Sequence, residues 1–236
     1  MGLNAQTSVP TFTASQVLTA QQQNWINTGI PVFATTTTRD AAFGGAGEKT
    51  LAQGQYAYIE ATSTLQVYNG SAWVSAITSG LNLITSQVIG SAVSSVTVSS
   101  AFSTTYDAYK IVIAGGAASV ANSGIRMQLG ATSAGYYYGI PLAIYSGGGA
   151  ASLAGTNTSS WEVGSTNSAS LNLNVELVDP FATKTTKMFA QVAKDTSGGS
   201  GGGFLDNTTS YTAFTLFPAS GTFTGGTIYV YGYAKS

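Results

Sequence analysis

The sequence predicts an all-β protein in which a short N-terminal helix and a small β-meander precede an antiparallel, jelly-roll-like β-sandwich. Apolar and polar residues alternate along many short segments, as they do in strands with one face in a core and the other in water. The chain also contains 29 Gly, and Gly, Asn and Ser separate these segments as turn residues. Strands and helices do not alternate, so a parallel α/β arrangement is not expected.

The N-terminal region begins with the single predicted helix, Ser15–Asn27, with Thr13 or Ser15 as its N-cap. A β-meander is predicted for residues 29–76. Its clearest part is "QYAYIEATSTLQVYNGSAWV", where Tyr56 and Tyr58 form the apolar phase of the first strand. The dipeptide Asn69-Gly70 then reverses the chain into a last strand.

The connector Ile77–Leu83 has little charge and is predicted to divide the chain into an N-terminal region, residues 1–83, and a C-terminal domain, residues 84–236. In that domain, Leu171–Leu177 alternates apolar and polar residues strictly. About eight or nine strands are expected, a number typical of a sandwich or jelly roll. The other predicted strands include residues 96–102, 109–113, 125–129, 136–145, 161–163, 188–192, 211–217 and 227–233.

Three glycine-rich segments are predicted to be loops. "GGAGEKT", residues 44–50, resembles a phosphate-binding loop, but Glu48 stands where that motif needs Gly, so a carboxylate would meet the phosphate. Residues 147–149 and 198–203 are predicted to be long flexible connections between strands.

Composition excludes several classes of function. Only 7% of the residues are charged and the net charge is −1, with the basic residues scattered from Arg39 to Lys235, so no nucleic-acid surface is expected. No apolar run is long enough to cross a bilayer, so membrane insertion is not expected. The N-terminus lacks the features of a secretory signal, so the chain is expected to be made as a cytosolic product. Without cysteine the chain has no disulfides.

The chain contains no histidine, which excludes Ser-His-Asp and Cys-His catalysis and histidine-ligated zinc. Two carboxylate pairs, Glu162 with Glu176 and Asp179 with Asp195, remain as candidates for glycosidase chemistry. Their positions on the polar phase of strands and in turns favour solvated surface roles instead. The protein is therefore predicted not to be an enzyme and to have no catalytic residue, no metal site and no cofactor.

Two groups of tyrosines are candidate contacts. In the last strand, Ile228 and Val230 would face a core, which places Tyr229, Tyr231 and Tyr233 together on the opposite face. Coverage of this row by another subunit or by another strand is favoured over a sugar-stacking platform. A second group, near a glycine-rich loop, would form either a ligand rim or a packed hairpin; its members are Tyr136, Tyr137, Tyr138 and Tyr145.

About the first 75 residues resemble the N-terminal region of virion structural proteins of tailed bacteriophages, notably minor tail proteins and fibres. The resemblance depends on the order of three segments: "VPTFTASQVLTAQQQNWIN", "GIPVFATTTTRDAAF" and "GQYAYIEATSTLQVYNGSAWV". The C-terminal part resembles the β-sandwich tips of phage fibres, with "FSTTYDAYKIVI" as an early strand and "GGTIYVYGYAKS" as the closing one.

The resemblance implies a particle component whose N-terminal region attaches to other virion proteins of the tail, baseplate or capsid, and whose sandwich is exposed as a homotrimer. Candidate attachment contacts are Trp25, Phe33, Tyr58 and Trp73, although Tyr58 and Trp73 would alternatively fill the small core of the meander. The favoured function is a tail fibre or spike subunit that binds a host-surface glycan or protein through loops and tyrosines. The alternative is a capsid decoration or head-fibre protein with a purely structural role.

Overall fold

The structure, a computed structural model, describes residues 6–27, 29–77, 80–167 and 169–235. The chain forms two compact units, Met1–Thr78 and Ser79–Ser236. The predicted boundary lies five residues later, because the sequence favours a connector at residues 77–83. In the structure residues 81–83 begin the first strand of the second unit.

The first unit contains two short helices and a four-stranded sheet. The strands lie in the order β1-β2-β3-β4; β1 is parallel to β2, and the other neighbours are antiparallel. The elements are α1 (Ala20–Asn27), β1 (Val32–Phe33), α2 (Thr36–Asp40), β2 (Tyr56–Ile59), a 3₁₀ turn (Glu60–Thr62), β3 (Thr64–Tyr68) and β4 (Trp73–Ser75).

Helix α1 begins later than predicted because Thr19, rather than Thr13 or Ser15, caps it. The Thr19 hydroxyl accepts a hydrogen bond from the Gln22 amide at 3.2 Å, and the Gln22 side chain accepts one from the Thr19 amide at 2.9 Å. This reciprocal pair is a capping box. Ser15 instead has a φ of 65°, a left-handed conformation that does not belong in a helix.

The predicted meander is present, but its inward phase is shifted by one residue. Asn69 makes the expected reversal between β3 and β4, because its side chain accepts hydrogen bonds from the amides of Ser71 and Ala72. On β2, however, Ala57 and Ile59 are buried and the tyrosines lie on the other face. Since side chains alternate along a strand, this one-residue shift removes both tyrosines from the core.

The second unit is an antiparallel β-sandwich, as predicted, with more strands than the eight or nine expected. The strands are β5 (Leu81–Val88), β6 (Val96–Val98), β7 (Ala108–Ala114), β8 (Ala117–Ala118), β9 (Gly124–Leu129), β10 (Tyr136–Ile144), β11 (Ala150–Thr158), β12 (Trp161–Thr166), β13 (Leu171–Val178), β14 (Lys187–Ala193), β15 (Ser197–Leu205), β16 (Phe214–Pro218), β17 (Phe223–Thr224) and β18 (Thr227–Tyr233).

Strand β13 connects the two layers of the sandwich. Residues 171–173 pair with β12, which continues through β9 and β16 to β6. Residues 174–178 pair with β7 and β14, within the order β11-β10-β15-β14-β13-β7-β18-β5. The strict alternation predicted for β13 is confirmed, because its apolar residues are buried in a core to which both layers contribute.

The prediction that residues 198–203 form a flexible connection is wrong, because they lie in β15, between β10 and β14. The glycines allow these backbones to approach closely. A Cβ atom on Gly199, Gly201 or Gly203 would lie 1.9–2.2 Å from a carbonyl oxygen of β10. Glycine in this strand is a packing requirement rather than a sign of flexibility. Residues 147–149, in contrast, do form the turn between β10 and β11.

Candidate functional site

The most distinctive surface of the second unit is the side of the eight-stranded layer that faces away from the core, which we call the outer face. Strand register places one residue from each of seven neighbouring strands in a single row across it. From β5 to β10 the row reads Leu83, Tyr231, Lys110, Glu176, Phe189, Gly202 and Gly139. The outer face is therefore apolar at one end, charged in the middle and open over the glycine strand.

The apolar end of the outer face is formed by β18 and β5. The rings of Tyr229 and Tyr231 are stacked with their centroids 6.4 Å apart. On β5, Leu83 is 57% exposed and Val88 is 68% exposed. Leu83 lies opposite Tyr231, whereas Val88 lies opposite Thr227 and Ser86 lies opposite Tyr229. We call Tyr229, Tyr231, Leu83 and Val88 the tyrosine patch; exposed apolar side chains on neighbouring strands are typical of contact surfaces.

The charged middle of the outer face is a small network around Glu176. The Glu176 Oε1 atom lies 3.5 Å from the Lys110 Nζ atom and accepts a hydrogen bond of 2.6 Å from the Tyr233 hydroxyl. The hydrogen bond to this carboxylate, with a smaller contribution from burial, raises the pKa of Tyr233 to about 12. Tyr233, predicted to be a subunit contact, thus anchors this network.

A groove of about 490 Å³ lies beside the network, over β13, β14 and β15. Ser200, Gly201 and Gly202 lie along it on β15, where no large side chain rises from the sheet. Phe189 and Gln191 on β14 project beside this low strand. The volume falls within the roughly 300–1,000 Å³ range of small-molecule sites in proteins.

The prediction that Tyr136 contacts a receptor is wrong, because this side chain is fully buried. Its hydroxyl accepts a hydrogen bond from the Leu129 amide at 2.8 Å and donates one to the Thr132 carbonyl at 3.1 Å. Its ring packs edge-on against Trp161 with the centroids 5.0 Å apart. Burial raises the pKa of Tyr136 to about 12.

The other three tyrosines of that group lie in different places. Tyr137 is half-buried on the outer face, where its ring stacks on Phe204 with the centroids 4.9 Å apart. Tyr138, on the opposite phase, packs against the core, and burial raises its pKa. Tyr145 is 61% exposed just beyond the end of β10. Tyr137 and Tyr145 therefore remain candidates for a contact, and the group does not form one rim.

Of the residues that line the groove, the sequence predicted a possible site role only for Glu176, as one of a carboxylate pair. Among the uncharged lining residues only Phe189 stands out in the sequence, because Met188, Ala190 and Val192 take the inward phase of β14 and leave an aromatic ring on the outward phase. Asn174 and Gln191 resemble ordinary polar residues in the sequence. Only the strand order places them side by side, with the Asn174 Nδ2 atom donating to the Gln191 Oε1 atom at 2.6 Å.

Of the attachment candidates in the first unit, some lie in its core and others lie on its surface. The prediction for Phe33 is wrong, because it is fully buried with Ala57 and Ile59 in the small core. Trp73 is half-buried against this core and packs on Phe43, with the ring centroids 5.8 Å apart. For Trp73 the alternative role in the meander's own core therefore applies, whereas Tyr58 lies on the other face of β2.

The Trp25 side chain lines a cleft of about 250 Å³ in the first unit, together with Phe12, Pro31 and Lys49. Phe12 is 41% exposed, so the cleft has an accessible apolar rim. Among the predicted attachment residues, Trp25 and Tyr58 thus keep partly accessible positions.

Several acidic groups, among them Glu162 and Glu48, are held by the protein's own polar atoms. Glu162 lies 3.7 Å from Lys194, and the Glu48 carboxylate accepts a hydrogen bond of 2.9 Å from the Gly45 amide, so a loop amide of "GGAGEKT" is already occupied. Within the described ranges, no three Asp or Glu residues come together as a metal site. Neither helix of the described chain has the length and hydrophobicity needed to span a membrane.

Comparison of the chain with models of protein families, with curated proteins and with solved structures gives no match.

Proposed function

We propose that this protein is a structural component of a bacteriophage virion, an attachment subunit of the tail fibre or spike type. In this role the first unit docks on other proteins of the particle, and the sandwich binds the surface of the host cell. The observation that carries the proposal is the outer face, which combines an apolar tyrosine patch with a polar groove on one rigid sheet. The sequence resemblance to tail proteins supplies the biological setting.

The tyrosine patch supports self-association, and we propose a homotrimer. Tyr229, Tyr231, Leu83 and Val88 lie on two paired strands and are partly exposed, and interface cores are enriched in aromatic residues and depleted in charge. A chain with 7% charged residues also suits burial in contacts between copies.

In the first unit, the cleft beside Trp25 supports docking on a partner protein. It combines aromatic and apolar walls with the single lysine Lys49, whose Nζ atom donates to the Gln55 side chain at 2.7 Å. A partner that inserts an apolar side chain would bury Phe12 and Trp25, and buried aromatic residues often dominate the energy of protein contacts.

Virions carrying a small gold-binding tag on this protein provide the test. We expect electron microscopy to show gold at the tail or baseplate, and the purified protein to compete with virions for adsorption to host cells. Gold on the capsid together with no competition would favour the alternative of a decoration or head-fibre protein. Absence of gold from the virion would overturn the proposal.

We also expect no hydrolase activity, because the chain has no histidine and Glu162 and Glu176 are each paired with a lysine. The measurement is the release of reducing sugar from host-surface polysaccharide by the purified protein. Release above the level given by a Glu176→Gln variant would contradict this expectation and assign a depolymerase function.

A further inference from the structure

We propose that the groove over β15 is a binding site for a neutral oligosaccharide. The inference rests on the proposed role in host-surface attachment and names the class of ligand and the residues that bind it. It takes the place of Tyr136 as a candidate receptor contact, because Tyr136 belongs to the core.

The shape of the groove fits a short chain of sugars lying on the sheet. Ser200, Gly201 and Gly202 keep the surface of β15 low, while Phe189 and Gln191 on β14 project beside it. The low strand is a fixed feature, because β15 is hydrogen-bonded on both sides, to β10 and to β14. The site is thus formed before any ligand binds, which lowers the entropic cost of binding.

The polar groups of the groove match hydroxyl groups. Asn174 uses one amide hydrogen to bond Gln191, and no other hydrogen bond in the described part of the chain involves either side chain. The Gln191 Nε2 atom remains a donor and the Asn174 Oδ1 atom an acceptor. A donor next to an acceptor suits a sugar hydroxyl, which both donates and accepts, and the Ser200 hydroxyl adds a further group of the same kind.

The charge of the groove favours a neutral ligand over an ionic one. Lys110 is its only basic residue and Glu176 its only acidic one, and the two are paired with each other. A phosphate, a sialic acid or a nucleic acid would have to break this pair to gain a cation, and would meet the Glu176 carboxylate. A neutral saccharide leaves the pair intact and can accept hydrogen bonds from Lys110.

Phe189 supplies the apolar contact. Its side chain is 54% exposed although it lies within a paired strand, which leaves an aromatic surface beside the polar groups. Sugars present an apolar C–H surface as well as hydroxyls, so a ring next to hydrogen-bonding amides matches both parts of such a ligand.

The test uses the full chain and an array of neutral and acidic oligosaccharides, followed by calorimetric titration of the neutral oligosaccharide that binds best. We expect Phe189→Ala to raise the Kd at least about tenfold, which corresponds to about 1.4 kcal/mol. Gln191→Ala should have a similar effect, and Ser200→Trp should abolish binding by filling the groove. The matched control is Tyr56→Ala, an exposed aromatic residue of the first unit, which should leave the Kd unchanged.

The unfolding midpoint of each variant separates loss of the site from loss of the fold, and Ser200→Trp removes no contact of the core. Failure of the wild-type protein to bind any neutral oligosaccharide, or unchanged binding in both Phe189→Ala and Ser200→Trp, would overturn the inference. If the purified protein nevertheless competes with virions for adsorption, the attachment role stands and the receptor contact lies elsewhere. If Tyr145→Ala loses neutral-sugar binding and the groove variants keep it, the assignment of the groove as the sugar site is overturned, and the attachment role stands.

Discussion

Two tyrosines show how the same side chain acquires different roles in one sheet. Tyr136 and Tyr233 both have a pKa raised to about 12. For Tyr136 the main cause is burial in the core, whereas for Tyr233 it is the hydrogen bond to the Glu176 carboxylate. The first tyrosine therefore stabilises the fold, and the second fixes a charged group on the outer face.

Replacing Tyr136 by Phe should lower the free energy of unfolding by about 1–3 kcal/mol, because the Leu129 amide would lose its partner in a buried place. Urea unfolding measures this change. The control Tyr145→Phe, at an exposed site, should shift the free energy by less than about 0.5 kcal/mol. An equal effect of the two substitutions would show that the Tyr136 hydroxyl is not a structural group.

Replacing Tyr233 by Phe should weaken the loss of stability at alkaline pH. A tyrosine in an unfolded chain loses its proton near pH 10, whereas the folded protein holds the Tyr233 proton up to about pH 12. The stabilisation from this proton is therefore complete below about pH 10 and is lost as the pH rises towards about 12.

The measurement is the difference in unfolding free energy between about pH 9 and about pH 11, which should be smaller in Tyr233→Phe than in the wild type. Tyr231→Phe is the control, since the Tyr231 hydroxyl makes no hydrogen bond within the described residues. A pH dependence that is the same in Tyr233→Phe and in the wild type would contradict the role assigned to the hydrogen bond with Glu176.

At the scale of the element, β15 shows that a glycine-rich segment can be a closely packed strand within a sheet. Its glycines leave room for the backbone of β10 on one side, while Ser200 and Gly202 keep the outer face low. The strand therefore serves both the packing of the layer and the shape of the groove.

Gly201 and Gly139 give a direct test of this interpretation. A Cβ atom on Gly201 would lie 2.1 Å from the Gly139 carbonyl oxygen, whereas a Cβ atom on Gly139 would meet nothing within 4 Å. We expect Gly201→Ala to cost at least about 2 kcal/mol of unfolding free energy, and Gly139→Ala to change it by less than about 1 kcal/mol. Thermal or urea unfolding measures both, and similar values would show that β15 tolerates side chains.

At the scale of the whole molecule, the outer face has two separate regions with different proposed roles. The tyrosine patch lies at the β18–β5 end and the groove over β13–β15, with the Lys110–Glu176 pair between them. Self-association through the patch would therefore leave the groove beside the contact, on the same layer, and a trimer would present three copies of it. Several weak sites on one particle bind a surface with high avidity.

Replacing Leu83 by Asp should dissociate the proposed trimer, because a carboxylate would then be buried in an apolar contact. Sedimentation equilibrium should give the mass of three chains for the wild type and of one chain for the variant. Val120→Asp, at another exposed apolar residue, should leave the trimer intact. A wild-type protein that sediments as one chain would contradict the homotrimer, and a trimeric Leu83→Asp variant would place the contact elsewhere.

The sequence determined the fold class and much of the local structure. The alternation in Leu171–Leu177 and the Asn69-Gly70 reversal depend on side-chain period and turn chemistry, which are local properties. The structure confirms both features, and the tyrosine row of β18 takes the phase that the sequence predicts.

Only the tertiary structure decided which residues meet. Tyr136 and Tyr137 are neighbours in sequence, but one is in the core and the other is on the outer face, because the sandwich covers only one side of β10. The groove unites β7, β13, β14 and β15 through pairings between residues far apart in the chain. The glycines of β15 are equally ambiguous in sequence, since the same residue permits a flexible loop and a close approach of two backbones.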